Sequence, residues 1–323
     1  MNKGLYGYPT PPILQRKALT TINANNFQFY DTAGSYTFTV PDNVFEIGIY
    51  VVGGGGNGAT TSTSQNVPAG AGGGFAMGVL NVTPGENLPL ITVGGQGGTS
   101  SVGTLATATG GQSGVAGNSS VTTGGTGAVS SVLKDTFTAS GGTGGFGAGS
   151  ASSGGAAGSP FGNGGNGAID AGGAAVGKNA VTSAGNGQNA GGLVESAKTL
   201  GAIDGNPFYK LLNKKLSANI TFSGSGSFGS VDGAGGIISP GSGLSAGNGG
   251  FGAGGGYSVT QGNGGDGGVF GGGGGCKSAF GYRAGHGGIG AGAGSFFGTA
   301  TPASAQGLGG NGCVVLFWHT AEL

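Results

Sequence analysis

Residues 47–59 read IGIYVVGGGGNGA. A β-branched and aromatic run passes without a break into glycine. Gly53, Gly55 and Gly58 match the G-x-G-x-x-G spacing of a dinucleotide-binding turn. Such a turn must open a helix, with an acidic residue about 20 residues further on. Here the run ATTSTSQNVPAGAGGG follows, without amphipathic period, and the next acid is Glu86. The glycines therefore serve another purpose, and no cofactor is expected.

Glycine dominates the whole chain, with 86 of 323 residues. Charged residues make up 7% of it, where about 25% is usual. Collagen would need glycine at every third place throughout and far more than the 11 prolines present. A flexible linker would lack the 17 Phe and 8 Tyr. The expected fold is ordered and unusual. The formal net charge is zero, and no basic stripe marks a nucleic-acid partner. No run of about 18 apolar residues reads as a membrane helix. The N-terminal stretch MNKGLYGYPTPPILQRKAL lacks the apolar core of a signal peptide, so no cleaved signal is expected.

Strand-like runs frame the glycine-rich part. YTFTV (36–40) and FEIGIYVV (45–52) flank a PDN turn, and GCVVLFWHT (312–320) lies at the far end. Between them G-x-G-G-x-G occurs six times, as GTGGFG (142–147), GNGGNG (162–167), GNGGFG (247–252), GNGGDG (262–267), GHGGIG (285–290) and GLGGNG (307–312). The period is three, where a helix needs 3.6 and a strand 2. Three residues per turn is polyproline-II geometry, which lacks internal hydrogen bonds. Its backbone groups need partners outside the segment. Packed polyglycine-II helices supply them to one another, provided two of three faces carry no side chain. The x places then face outward. Gly249, Gly252, Gly264, Gly267, Gly287 and Gly290 are read as scaffold glycines. The dense hydrogen bonding must offset the entropy that glycine loses on ordering.

Residues 193–222 interrupt the pattern with a cluster of charged residues. Asn206 suits an N-cap and Pro207 the first helical place. Phe208, Leu211, Leu212 and Leu216 share one helical face, so a short α-helix is expected near 207–216.

Catalytic signals are weak. No serine sits in a nucleophile elbow. His286 and Asp266 occupy x places, and His319 follows Trp318 at a strand end. Cys276 and Cys313 are too few for a disulfide framework and show no metal-ligand spacing with the two histidines. They read as two thiols, and neither an enzyme nor a metal site is expected. The aromatics are more informative. Phe161, Phe208, Tyr209, Phe270, Phe280, Tyr282, Phe296 and Phe297 fall in or near breaks between glycine runs, some beside Lys277 and Arg283. Such loops suit binding surfaces. Phe208, Tyr209, Tyr282, Arg283, Phe296 and Phe297 are the candidate contact residues. A flat Thr or Ala face would suit an ice-binding protein instead, and the x places of the repeats hold mainly other residues.

Residues 36–59, then AGAGGGFAMGVLNVTPGENLPLITVGGQGG (69–98), then the closing GGNGCVVLFW (309–318), resemble the glycine-rich domain of bacteriophage tail-fibre and receptor-binding proteins. The repeats also resemble the polyglycine-II sandwich of distal adhesins on long tail fibres. The resemblance implies a small β-sheet, built from N- and C-terminal strands, that closes a bundle of polyglycine-II helices. Residues 1–34 would be an extended segment docking on a virion tail or fibre protein, and 35–323 the glycine-rich domain, with 193–222 inserted. The implied role is attachment of the virion to a bacterial surface receptor, an outer-membrane protein or a glycan, with a homo-oligomer allowed. The alternative is a spike or decoration protein of the virion without a receptor role.

Overall fold

The computed structural model describes residues 26–61, 65–160, 162–175, 246, 248–249, 252, 254–260, 262–278, 282–298 and 305–320. Among them the protein is all-β. The helix expected near 207–216, with Phe208 and Tyr209, lies outside the described residues, as do Phe161 and Phe280. The strands are β1 (Asn26–Tyr30), β2 (Gly34–Tyr36), β3 (Glu46–Val52), β4 (Thr60–Thr61), β5 (Phe75–Asn81), β6 (Ile91–Val93) and β7 (Ser100–Val102). They continue with β8 (Ala106–Ala108), β9 (Gly127–Val129), β10 (Lys134–Ala139), β11 (Ser258–Thr260), β12 (Cys276–Ser278), β13 (Phe296–Phe297) and β14 (Cys313–Trp318).

The first half of the opening stretch is β3, the centre of an antiparallel sheet ordered β1-β14-β3-β5-β10. One face of β3 sends Tyr50 and Val52 into a cluster with Phe75, Val315 and Phe317. The other sends Ile47, Ile49 and Val51 toward Ile91, Val102 and Ala108 of a second antiparallel sheet, ordered β2-β6-β7-β8-β9. A strand buried on both faces reads as a continuous apolar run. Gly48 leaves room for a ring: a Cβ there would lie 2.0 Å from Phe317 Cζ.

The expected strand at 36–40 is split between two partners. Tyr36 pairs with Ile91 in the second sheet. Val40 N–H instead donates to Glu86 O, and Leu88 N–H to Phe38 O. The V-T-P-G run sets that second pairing. Pro84 and Gly85, at φ 81°, make a turn closed by Glu86 N–H on Thr83 O at 3.1 Å, as a type II turn requires. The PDN turn closes through Val44 N–H on Pro41 O. β1 belongs to the stretch read as a leader, so the sheet takes in its last residues.

Past Val52 the strand register continues into glycine, and its period changes. Val52 faces Phe75, and then Gly53, Gly56 and Ala59 donate their N–H to Gly74, Ala71 and Pro68. Cys313 faces Val52, and then Gly55 and Gly58 donate to Gly310 and Gly307. Gly54 turns to a third neighbour, Gly98. Every third N–H thus reaches the same neighbouring run. A β-strand would alternate between two sides. Residues 69–74 repeat the rule: Ala69 and Gly72 donate to Gly145 and Gly142, Gly70 and Gly73 to Ala293 and Gly290, and Ala71 and Gly74 to Gln112 and Thr109. Runs approach until side chains cannot fit between them. A Cβ on Gly55 would lie 1.9 Å from Ala291 O, and one on Gly72 1.9 Å from Ala156 O.

The far end of the chain repeats one unit. A run ends in a turn at Gly252, at Val269–Phe270 or at Ile289–Gly290, and a second run leads into β11, β12 or β13. These strands pair with β4 in a parallel sheet ordered β11-β12-β13-β4. The turns need positive φ, which is 72° at Gly252, 69° at Gly290 and 66° at Phe270. For a bulky residue that backbone costs about 1–3 kcal/mol. Phe270 is fully buried in the cluster under the first sheet, and burying a phenyl ring gains a comparable amount. Phe270 is thus a core residue that anchors a turn, and its ring is closed to a partner.

Candidate functional site

The two ends of the molecule differ in what they offer. In the first sheet Asn26 faces Trp318, which faces Ile47, which faces Leu80. This row marks the end where the N-terminal strand enters, and Asn26 Nδ2 donates to Thr320 Oγ1 there at 3.0 Å. β3 then crosses the glycine lattice through residues 53–59 and emerges as β4. In the parallel sheet Ser258, Cys276, Phe296 and Thr60 stand in one row. Because these four strands are parallel, the chain leaves all of them on the same side, after Thr61, Thr260, Ser278 and Phe297. The last residues of all four strands are therefore gathered at the end opposite Asn26.

The aromatic candidates divide there. Strand side chains alternate, so Phe296 points inward and Phe297 outward. Phe296 is fully buried against Cys276, Ala284 and Ala305, with Tyr282 packed over the cluster. It is a core residue and not a contact surface. Phe297 is half-buried, and exposed Lys277 holds its Nζ 5.8 Å from the ring centroid. Tyr282, half-buried, lies on the Phe296 side of the sheet, whereas Phe297 and Lys277 pair on the outward side. Cys276 and Cys313 are both buried, and neither forms a disulfide among the described residues. Burial pushes the Cys276 thiol up to about 12, with the Gly264 backbone and the Arg283 charge opposing.

Arg283 is committed elsewhere. Its guanidinium forks onto both Asp266 carboxylate oxygens at 2.7 and 3.0 Å, an arrangement stronger than a single neutral hydrogen bond. Burial opposes ionisation of Asp266, but Arg283 and the His286 N–H outweigh it and hold the carboxyl below its usual range. His286 is lowered by burial first and by the Arg283 charge second, against the pull of Asp266. Its Nδ1 accepts Leu308 N–H at 2.9 Å, which places the proton of the neutral ring on Nε2.

These contacts give the polar x places a role that spacing alone does not show. Asn248 Oδ1 accepts Asp266 N–H, Asp266 Oδ1 accepts His286 N–H, and His286 Nδ1 accepts Leu308 N–H. Each x side chain reaches sideways and satisfies the outward N–H of the next run, which has no backbone neighbour on that face. Asn57 does the same for Gly309. The six scaffold glycines lie in the same lattice. Gly249, Gly252, Gly264, Gly267, Gly287 and Gly290 donate to carbonyls of the adjoining run at 2.8–2.9 Å.

One further polar cluster is built around a turn. Asp170 Oδ1 accepts from Tyr257 OH at 2.6 Å and from Ser150 Oγ. Burial, then the Asp170 contact, drives the Tyr257 hydroxyl upward, so it stays a donor at neutral pH. No group of three His, Cys, Asp or Glu side chains that could hold a metal comes together among the described residues.

No protein-family profile matches this chain, and no curated protein is significantly similar to it.

Proposed function

We propose that the glycine runs are polyglycine-II helices packed as a bundle, and that the protein is a phage tail-fibre or receptor-binding protein. It would attach the virion to a bacterial surface receptor, an outer-membrane protein or a glycan. The threefold hydrogen-bond partners of residues 53–59 and 69–74 support the first part. The observation that carries the second is the polarity of the molecule. The N-terminal strand enters at one end, and the four strands of the parallel sheet terminate at the other. Seven strand residues at about 3.3 Å and seven lattice residues at about 3.1 Å separate those ends by roughly 45 Å. A stiff spacer with a docking segment at one end and loops at the other suits an adhesin, since loops fixed on a rigid frame lose less entropy on binding. Docking on a virion tail or fibre protein falls to the residues preceding β1. The contact residues at that end are the outward pair Phe297 and Lys277, with Tyr282 on the other side of the sheet.

The test is attachment of the purified protein to a panel of bacterial strains, together with competition against infection. Tyr282→Ala/Phe297→Ala/Lys277→Ala should weaken attachment about tenfold or more, as loss of an aromatic anchor does, with the melting temperature lowered by no more than a few degrees. Unchanged attachment would move the contact surface off this end. A protein that binds no strain and blocks no infection is a structural virion component.

A further inference from the structure

The side of the lattice away from the x places of Asp266 and His286 carries a second, differently made surface. Four runs lie next to one another there, at 109–115, 120–126, 140–146 and 163–169. Thr109 N–H donates to Thr126 O, Gly141 N–H to Gly125 O, and Gly164 N–H to Ser140 O. The outward residues of the runs recur every three places and fall into rows. The first row is Thr109, Thr126, Ser140 and Asn163. The second is Gln112, Thr123, Thr143 and Asn166. One step closer to the parallel sheet stand Val115, Ser120, Phe146 and Ile169. All of the first two rows are exposed except half-buried Thr143, and Val115 is 63% exposed.

The polar rows are fixed before any ligand arrives. Asn163 Oδ1 accepts Ser140 N–H, Asn166 Oδ1 accepts Thr143 N–H, and Gln112 Oε1 accepts Thr123 N–H, at 2.9–3.1 Å. Thr109 Oγ1 accepts Thr126 N–H at 2.8 Å. Each amide is anchored through its oxygen. Gln112 and Asn163 are left with amide N–H groups that have no acceptor among the described residues. The hydroxyls of Thr123 and Thr143 are spare in the same sense. No charged residue occupies any of the three rows.

We propose that this side face binds a neutral polysaccharide chain. Hydroxyl groups both donate and accept, so they match rows of amide and hydroxyl groups. The apolar face of a sugar ring matches the row of Phe146, Val115 and Ile169, in the way that binding sites pair an apolar wall with a few placed polar groups. A repeating ligand meets a repeating surface. Anionic partners such as nucleic acid find no cation on the face. A protein partner would want an aromatic and apolar centre, which the first two rows lack. The face is distinct from the Phe297–Lys277 pair and from Tyr282, and does not depend on attachment there.

The probes are dextran, a linear β-glucan and a galactomannan in affinity gels, with polygalacturonate as the anionic comparison. At least one neutral polymer should retard the full-length protein. Thr123→Lys/Thr143→Lys places bulk in the second row without removing any lattice hydrogen bond. It should abolish the retardation or weaken it at least tenfold, at an unchanged melting temperature. Leu308→Lys, on the other side of the lattice, should leave it intact. The proposal is overturned if no neutral polymer retards the protein, if the double variant binds as the parent does, or if only polygalacturonate retards it. Thermal hysteresis without retardation would assign the face to ice. A dimer lost in the double variant, with retardation unaltered, would assign it to a second copy of the chain.

Discussion

Gly55→Ala is expected to destabilise the protein by roughly 3 kcal/mol or more, as a forced side chain does in a packed interior. At the size of this chain that is a fall of about 5 °C in melting temperature. The methyl carbon would lie 1.9 Å from Ala291 O and 2.8 Å from Gly292 N. Both are backbone atoms of a run bonded on its other sides, since Ala291 N–H is held by Gly288 O and Gly292 N–H by Gly155 O. Neither can retreat alone. The sign of the effect is diagnostic. Alanine restricts the unfolded chain, so at a site with room it stabilises by about 0.4–1 kcal/mol. Thr123→Ala, at an outward place, should stay within about 0.5 kcal/mol. Thermal unfolding of the two variants separates a close-packed lattice from a loose glycine coil, where Gly55→Ala would be neutral or stabilising.

Phe296→Ala should cost about 3–5 kcal/mol, measured as a lowered urea midpoint. The ring is fully buried. Its neighbours Cys276, Ala284 and Ala305 are too small to close the cavity. Gly298 sits so close that a Cβ there would lie 2.7 Å from Phe296 Cζ. Phe297→Ala, one residue on, should cost less than about 1 kcal/mol, because that ring is half-buried. An equal loss at both positions would contradict the alternation of β13.

The pair Phe296 and Phe297 marks where sequence stops being informative. Both are apolar and adjoin a glycine run, and only the parallel pairing with Cys276 and Lys277 decides which one turns inward. Phe270 is a similar case, since nothing in VFGG announces a ring buried at positive φ. The strands 46–52 and 313–318 were legible because a two-faced core leaves an unbroken apolar run. The period of three was legible because close approach removes every side chain except those at outward places. What these outward side chains do was hidden, because it depends on lateral neighbours far away in sequence: Asn248 meets Asp266, and Asn163 meets Ser140. The spacings T-G-G-Q (109–112), T-G-G-T (123–126) and S-G-G-T (140–143) carried the signal of the polar face. The first two fall outside the strict G-x-G-G-x-G pattern, and the third overlaps it only at Gly142 and Thr143.

Scalar couplings across hydrogen bonds, measured by NMR on isotope-labelled protein, test the threefold lattice most directly. Gly53, Gly56 and Ala59 should couple to the carbonyl carbons of Gly74, Ala71 and Pro68, and Gly55 and Gly58 to those of Gly310 and Gly307. Gly54 should couple to neither run. Partners recurring at every third residue are the expected result. Partners recurring at every second residue, as in an extended β-ladder, or no couplings at all across residues 53–59, would contradict it.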